Sequence, residues 1–142
     1  MKLGIDCTGI AITFCCHNGK GKFLLQKRSR NCPDNKGAWQ FGGGKLEYGE
    51  SVQDGVLREV KEEYGCDGII NQALPAKSTV NESGHWITLP HIIQVDETET
   101  KLNEPDKADE IGWFTLDALP SPLHSGTILF LKEHRELLEK YI

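Results

Sequence analysis

Three glutamates stand close together near the end of the segment from Gly44 to Gly65. The segment predicts a short helix, and at about 100° per residue Glu62 and Glu63 fall roughly 60° and 40° to either side of Glu59. Carboxylates crowded into so narrow an arc repel one another unless a cation lies between them. Oxygen ligands of this kind suit Mg²⁺ or Mn²⁺, which also bind phosphates. The spacing therefore indicates a divalent-metal site for phosphate chemistry.

The same segment resembles the signature of the Nudix (MutT-like) hydrolases, which sets glutamates and an arginine at fixed distances between two glycines. Only Cys66 departs from that signature, in a position that usually holds an aliphatic residue, and a buried cysteine behaves as a small hydrophobic residue. The alternative is a solvated, charged helix face, which so many matching positions disfavour. The matching residues are Gly44, Glu50, Arg58, Glu59, Val60, Glu62, Glu63 and Gly65.

The resemblance implies a metal-dependent hydrolase that breaks a phosphoanhydride bond with water, which needs charge neutralisation, a positioned water and a base. Glu59, Glu62 and Glu63 are then the residues that bind Mg²⁺ or Mn²⁺ and activate the water. Members of the family differ over which glutamate deprotonates the water, and we take Glu59 as the base. Arg58 is expected to orient a carboxylate rather than touch substrate. Glu50 is expected to fix the loop or to hold the metal through a water.

Two further metal ligands follow from the resemblance. One is the backbone of Gly44, and the other is an acid from a later loop, for which one sequence leaves several candidates. We expect Glu110, because it lies just before the strand that carries Trp113, and Glu104 is the second choice. The alternative for each candidate is that it simply solvates the loop. The candidates are Glu104, Asp106, Asp109 and Glu110.

The expected substrate-binding residues lie on both sides of the glycine run Gly42-Gly43-Gly44, where most relatives have Pro-Gly-Gly. The missing proline loosens this predicted loop. A basic cluster at the end of the second strand either meets the terminal phosphates of a nucleotide or is ordinary surface charge. The resemblance places the base pocket between the glycine loop and the later strands, whereas Trp86, Trp113 and Phe114 are expected in the core. The substrate-binding candidates are Lys27, Arg28, Phe41, Gly43, Gly44, Thr88 and residues near Leu123.

The segments after the glycines look like those of the small nucleoside-triphosphate pyrophosphatases of the family. The expected reaction is hydrolysis of a nucleoside triphosphate, ribo or deoxy, to the monophosphate and pyrophosphate. A nucleotide sugar such as ADP-ribose, or a dinucleoside polyphosphate, is the alternative substrate. A nucleotide-binding module with the same fold and no activity is the alternative of a different class, although such modules usually lose the carboxylates that this chain keeps.

The elements that must position these residues alternate without a strict βαβ order, which favours an α+β fold. The resemblance implies a Nudix-type α/β/α sandwich with a mixed β-sheet, in a single domain over 1–142. The first helix is expected to begin after Ser51, to bury a stripe of residues spaced by four, and to end at Gly65. Gly55 within it is expected to permit close packing on the sheet. The predicted strands cover 5–16, 22–28, 39–41, 69–80, 85–95 and 111–116, and the closing helix covers 126–141.

Composition narrows the possible partners. The 142 residues carry a net charge of −5 with 26% charged residues, so phosphates must be neutralised locally and no broad basic surface exists for bulk nucleic acid. Five cysteines are an odd number without metal-type spacing, which favours reduced thiols in a cytoplasmic protein. The adjacent Cys15 and Cys16 are expected on opposite faces of a strand. We expect no signal peptide, no membrane contact, and a monomer or homodimer.

Overall fold

The centre of the sheet is formed by two long strands that run parallel to each other. The computed structural model describes residues 1–142 and contains one mixed sheet of eight strands. Strand β1 pairs along its length with β7, and β7 pairs on its other edge with β6 and β5. The strands are β1 (Gly9–His17), β2 (Phe23–Arg28), β3 (Trp39–Gln40), β4 (Gly42–Lys45), β5 (Gly68–Ala73), β6 (Lys77–Asn81), β7 (Gly84–Val95) and β8 (Ala108–Phe114).

One helix covers each face of this sheet. Helix α1 (Val52–Tyr64) packs on Ile12, Phe14 and Cys16 of β1, whereas Cys15 belongs to the second cluster, under helix α2 (Ser125–Leu138). The alternation of β1 side chains between the two clusters confirms the prediction for the adjacent cysteines and, with it, the α/β/α sandwich. Short 3₁₀ turns at Glu97–Glu99, Leu116–Ala118 and Glu139–Tyr141 complete the elements. Neither α1 nor α2 has the length and apolar content that a helix needs to cross a membrane.

The sheet divides on one side of β1, and this division shapes the site. The first part of β1 pairs with β4, whereas only Cys16 and His17, at its end, pair with β2. Strand β2 then pairs with β3 and β8 instead. A gap therefore opens between β2 and β4, which we call the fork, and α1 lies across the sheet on that side.

The capping residues of α1 are as the sequence predicts. The hydroxyl of Ser51 accepts a hydrogen bond from the backbone N–H of Asp54, and Gly65 ends the helix at a φ of 68°. The predicted stripe is buried completely at Val56, Val60 and Tyr64. Together these features fix the register of α1 on the sheet.

Four expectations from the sequence need correction. The three glycines form strand β4 rather than a loop, because their backbone pairs with β1 where side chains would collide with Phe14 and Glu59. Gly55 permits close packing of the preceding loop at Leu46, not of the sheet. The predicted strand 69–80 is broken into β5 and β6 around Pro75, which cannot donate to a ladder. The first strand begins only at Gly9.

The hydroxyl of Tyr64 is buried without a hydrogen-bond partner, although its ring makes an edge contact with Phe14. Tyr64→Phe should therefore raise the free energy of unfolding by about 1 kcal/mol, because it removes an unsatisfied polar group and keeps the ring. Val60→Ala, at an equally buried position, should lower it by about 2 kcal/mol. Urea denaturation followed by circular dichroism measures both. A loss of more than about 1 kcal/mol in Tyr64→Phe would mean that the hydroxyl has a partner.

Candidate active site

The guanidinium of Arg58 holds the acidic side chains of this region together. Its Nε and Nη2 donate to both oxygens of Glu50, at 3.0 and 2.7 Å. Its Nη1 donates to Glu59 at 2.8 Å and to Glu62 at 3.1 Å, and Nη2 also reaches the carbonyl of Lys45 at 3.1 Å. The guanidinium of Arg58 thus provides positive charge between two of the three crowded glutamates, Glu59 and Glu62. Arg58 contacts Glu50, Glu59 and Glu62 directly, and its orienting role stays a prediction.

Glu50 anchors this arrangement in the loop before α1. Its carboxylate accepts both bonds from Arg58 and a third from the backbone N–H of Glu47 at 2.8 Å. The hydrogen bonds from Arg58 lower the pKa of Glu50 to about 2, and the same bonds raise the pKa of Arg58. The pair therefore stays charged across the neutral range and well into acid, so Glu50 fixes the loop and the arginine together.

Glu63 reaches into the fork between β2 and β4. One of its carboxylate oxygens accepts from the side-chain amide of Gln26 on β2 at 2.8 Å, and the other accepts from the backbone N–H of Gly43 on β4 at 3.1 Å. The residue is only 7% exposed. Burial, with smaller contributions from Glu59 and Glu104, raises the pKa of Glu63 to about 8. Without a further cation, Glu63 is thus protonated at neutral pH.

Glu59 lies against strand β4. A Cβ on Gly44 would overlap the Glu59 carboxylate, so only glycine at this position lets the acid reach the strand. Burial raises the pKa of Glu59 against the lowering effects of Arg58 and Lys107. Only one of its oxygens bonds to the protein, through Arg58. The second oxygen of Glu59 makes no hydrogen bond to another residue.

The later loop brings Glu104, not Glu110, to these carboxylates. The side-chain amide of Asn103 donates to the carbonyl of Glu62 at 2.9 Å and its backbone N–H donates to the carbonyl of Glu63, which ties the loop to the end of α1. Glu104 then lies near enough to Glu63 to raise its pKa, and its Oε1 is buried without a partner. Glu110 is exposed on β8 and pairs with Lys27 on the sheet face opposite Gln26 and Ile111. Its position does not support the predicted role as a metal ligand.

As the side chains stand, no group of three or more His, Cys, Asp or Glu residues is close enough to share one metal ion. Arg58 holds oxygens of Glu59 and Glu62, while Gln26 and Gly43 hold those of Glu63. Both oxygens of Glu63 are thus occupied by protein donors, whereas Glu59, Glu62 and Glu104 each keep one oxygen without a protein partner.

A cleft of about 900 Å³ lies between β4, the strands β6 and β7, and helix α2. Of the predicted substrate-binding residues it is lined by Arg28, Phe41, Gly43, Gly44 and Thr88. Gly43 and Gly44 also contact the carboxylates of Glu63 and Glu59, so these glycines of β4 separate the cleft from the acidic site. The cleft and the carboxylates therefore share one thin wall.

Of the predicted basic cluster, only Arg28 lines the cleft, where its guanidinium bonds to Asp34 and to the side chain of Gln40. Lys27 does not line the cleft, and the pairing of β2 with β8 shifts register between Lys27 and Arg28. Its predicted contact with phosphate has no support in this position.

Aromatic residues follow the sequence predictions except at Trp86. Trp113 packs against the core under α1 and Phe114 against the core under α2. Trp86 is half-buried in the cleft wall, with Lys45 Nζ 5.7 Å from its ring centroid. Gly4 and Gly9 cover the other side of this ring and leave no room for a Cβ.

Sequence reasoning missed two residues of the site, Gln26 and Lys107. Gln26 left a signal, since it is the only uncharged polar residue of β2 and follows three buried apolar residues. His124 falls within the predicted base-pocket region near Leu123: it caps α2 through Nδ1, which accepts from Gly126 at 2.9 Å, and it lines the cleft. Burial and Arg28 lower its pKa. Nothing local in the sequence distinguishes Lys107 from surface residues.

Comparison with known proteins agrees with this geometry. The ADP-ribose pyrophosphatase of Methanocaldococcus jannaschii is 37% identical over 101 residues, which are 70% of this chain and 57% of that protein. The mouse 8-oxo-dGDP phosphatase NUDT18 is 26% identical over 78% of this chain and 33% of its own length. The crystal structure of a MutT NUDIX hydrolase from Burkholderia pseudomallei superposes with a TM-score of 0.75 at 29% identity, covering 88% of this chain and 96% of that one.

The chain thus spans between a third and somewhat over half of the length of these two curated relatives. It spans almost all of the Burkholderia structure, whose fold it shares. The sequence profile described as the NUDIX domain matches residues 8–134, which include the fork, Arg58 and every carboxylate described above. On this match the chain belongs to the Nudix hydrolase family.

Proposed function

We propose that this protein hydrolyses a phosphoanhydride bond in a nucleoside diphosphate that is linked to another group. The observation that carries the proposal is the shared wall at β4, with Glu59 and Glu63 on one side and the cleft on the other. A nucleotide in the cleft would have its phosphates next to Gly43 and Gly44, within reach of the acidic site. Glycine backbone allows such a close approach because it carries no side chain.

The donors present fit Mg²⁺ or Mn²⁺, and we propose Glu59, Glu62, Glu63 and Glu104 as the residues that hold it. All offer hard carboxylate oxygens, the Oε1 of Glu104 is buried without a partner, and Glu63 has a pKa near 8 that a bound cation would lower. The backbone of Gly44 remains a predicted ligand. When bound, the ion neutralises phosphate charge and makes water more acidic.

The chain's own residues would divide the remaining work. Glu59 is the proposed base, because burial raises its pKa toward the range in which a base works best and one of its oxygens is free of protein bonds. Arg58 keeps Glu59 in place, and Glu50 keeps Arg58 in place. Neither Arg58 nor Glu50 lines the cleft, so we give both a positioning role.

A nucleoside triphosphate, ribo or deoxy, is the first proposed substrate, with the monophosphate and pyrophosphate as products. Phe41 and Thr88 would then contact the base and Arg28 the ribose or a phosphate. A nucleotide sugar such as ADP-ribose is the second candidate. It is favoured by the size of the cleft, by Lys45 and Lys77 along its wall, and by similarity to the archaeal ADP-ribose pyrophosphatase.

We place this activity in the cytoplasm, because all five cysteines are free thiols and two of them, Cys15 and Cys16, are fully buried. A small nucleotide is the proposed partner. The acidic net charge of −5 argues against bulk nucleic acid. A monomer or a homodimer is compatible with this proposal.

A substrate panel tests the proposal directly. With Mg²⁺, release of phosphate and pyrophosphate is measured against nucleoside triphosphates, their deoxy forms, ADP-ribose and diadenosine polyphosphates. We expect turnover of at least one compound and none when the metal is chelated. Binding of nucleotides without turnover of any compound would instead identify an inactive binding module.

The metal assignment is tested by Glu62→Gln, which replaces a carboxylate that is partly exposed and bonded only to Arg58. We expect kcat to fall by orders of magnitude while the melting temperature stays close to that of the wild type, because an amide is a poor Mg²⁺ ligand. Glu136→Gln on the exposed side of α2 is the control for the same charge change. Unchanged turnover in Glu62→Gln would remove Glu62 from the proposed site.

The raised pKa of Glu63 predicts a pH-dependent stability of the metal-free protein. Between its ordinary value of 4.5 and about 8, Glu63 is protonated in the folded state and ionised in the unfolded state, so stability falls as pH rises through this window. The metal-free Glu63→Gln variant has no carboxyl group at this position to ionise, so its stability does not fall in this way. It should melt several degrees above the wild type at pH 8 and close to it at pH 5, by calorimetry in chelator. A difference that does not change with pH would contradict the raised pKa.

A further inference from the structure

We propose that Lys107 is a displaceable cation of the acidic site, which pairs with its carboxylates in the free protein and binds substrate phosphate once a divalent ion is present. This inference rests on the proposed function and adds a phosphate-binding residue to it. It is carried by the position of the Lys107 ammonium, by the rigidity of the loop beneath it, and by its contrast with Arg58.

The Lys107 ammonium lies beside the carboxylate of Glu104. Its Nζ lies 3.5 Å from Oε2 of Glu104. The carboxylate of Glu59 also acts on it, and it acts in turn on Glu59. Lys107 is therefore a second internal cation of the site, besides Arg58.

The backbone below this side chain is held firmly. The carbonyl of Lys107 accepts from the backbone N–H of Ser29 at 3.1 Å, and the hydroxyl of Ser29 donates to the carbonyl of Asp106 at 3.0 Å. The backbone N–H of Lys107 donates to the carbonyl of Glu104 at 3.0 Å, which closes the turn. The side chain is 68% exposed above this fixed base, so its four-carbon stem is free to move.

The two cations of the site differ in how easily they can leave. Arg58 makes five hydrogen bonds, two of them to Glu50, which lies outside the proposed metal-binding set. Lys107 makes one long ion pair at an exposed position, and exposed pairs of this kind contribute little stability. An arriving divalent ion would repel Lys107 far more readily than it would displace Arg58.

A Lys107 ammonium that the divalent ion has displaced can pair with substrate phosphate. An ammonium on a flexible stem binds phosphate as a point charge, without the fixed geometry of a guanidinium. Phosphates that reach the carboxylates across Gly43 and Gly44 would come within range of the same stem, because Glu104 and Lys107 belong to one turn. One residue would then offset carboxylate repulsion before the metal binds and phosphate charge afterwards.

Two binding measurements on the full chain, neither of which involves a nucleobase, test this proposal. Mn²⁺ is titrated into the metal-free protein, and inorganic pyrophosphate is titrated in the presence of Mg²⁺, both by calorimetry. In Lys107→Gln, Mn²⁺ should bind unchanged or up to about two- to fivefold tighter, because a competing cation is gone. Pyrophosphate should bind about tenfold weaker, because a charge-assisted contact is lost. Lys107→Arg should restore most of the pyrophosphate affinity.

Lys61→Gln is the matched control, since it removes the same charge from an exposed pair with Asp67 and should change neither affinity. Weaker Mn²⁺ binding in Lys107→Gln would show that Lys107 supports the site structurally, and pyrophosphate affinity within threefold of the wild type would exclude the phosphate contact. Either result overturns the proposal. Loss of turnover on every panel compound would refute the proposed function, yet these two titrations would still decide the role of Lys107.

Discussion

The five hydrogen bonds of Arg58 connect three parts of the chain at the acidic site. The arginine itself belongs to α1, its firmest partner Glu50 belongs to the preceding loop, and Lys45 ends strand β4. A planar guanidinium can serve all three at once, whereas an ammonium cannot. Through it, the loop, the helix and the strand hold Glu59 and Glu62 at short range, and the guanidinium offsets part of their mutual repulsion. Two of the carboxylates are therefore held in place before any metal arrives.

The division of the sheet explains why Glu63 behaves differently from the other two glutamates. Where β2 and β4 separate, each leaves a donor without a partner in the sheet, the amide of Gln26 and the N–H of Gly43, and Glu63 accepts from both. These contacts bury the carboxyl group of Glu63 away from Arg58, and burial raises the pKa of Glu63 to about 8. Topology rather than local sequence thus gives one of three neighbouring acids its distinct proton affinity.

Local patterns in the sequence predict most of the scaffold and the centre of the site. The caps of α1, its buried stripe and the expected contact of Arg58 with a carboxylate depend on contacts within about fifteen residues or on the period of an element, whereas the α/β/α sandwich follows from the resemblance to the Nudix family. The acid from the later loop cannot be predicted from such local contacts. Glu110 follows the strand alternation onto the wrong face, and Glu104 arrives through Asn103, a contact over forty-one residues. The positions of the Lys27 and Lys107 side chains likewise depend on the side of the strand or turn on which each one lies. Composition does not specify that side.

The three glycines of strand β4 have a consequence for how this protein can change. Gly42, Gly43 and Gly44 each lie against atoms that a Cβ would overlap or crowd, so none of the three can be substituted without disturbing β1 or Glu59. The remaining walls of the cleft come mainly from β1, β6, β7 and α2, none of which supplies one of the proposed metal-binding carboxylates. Selectivity and chemistry are therefore separable by mutation: new substrates can be explored on the outer walls while the partition and the acids behind it stay constant.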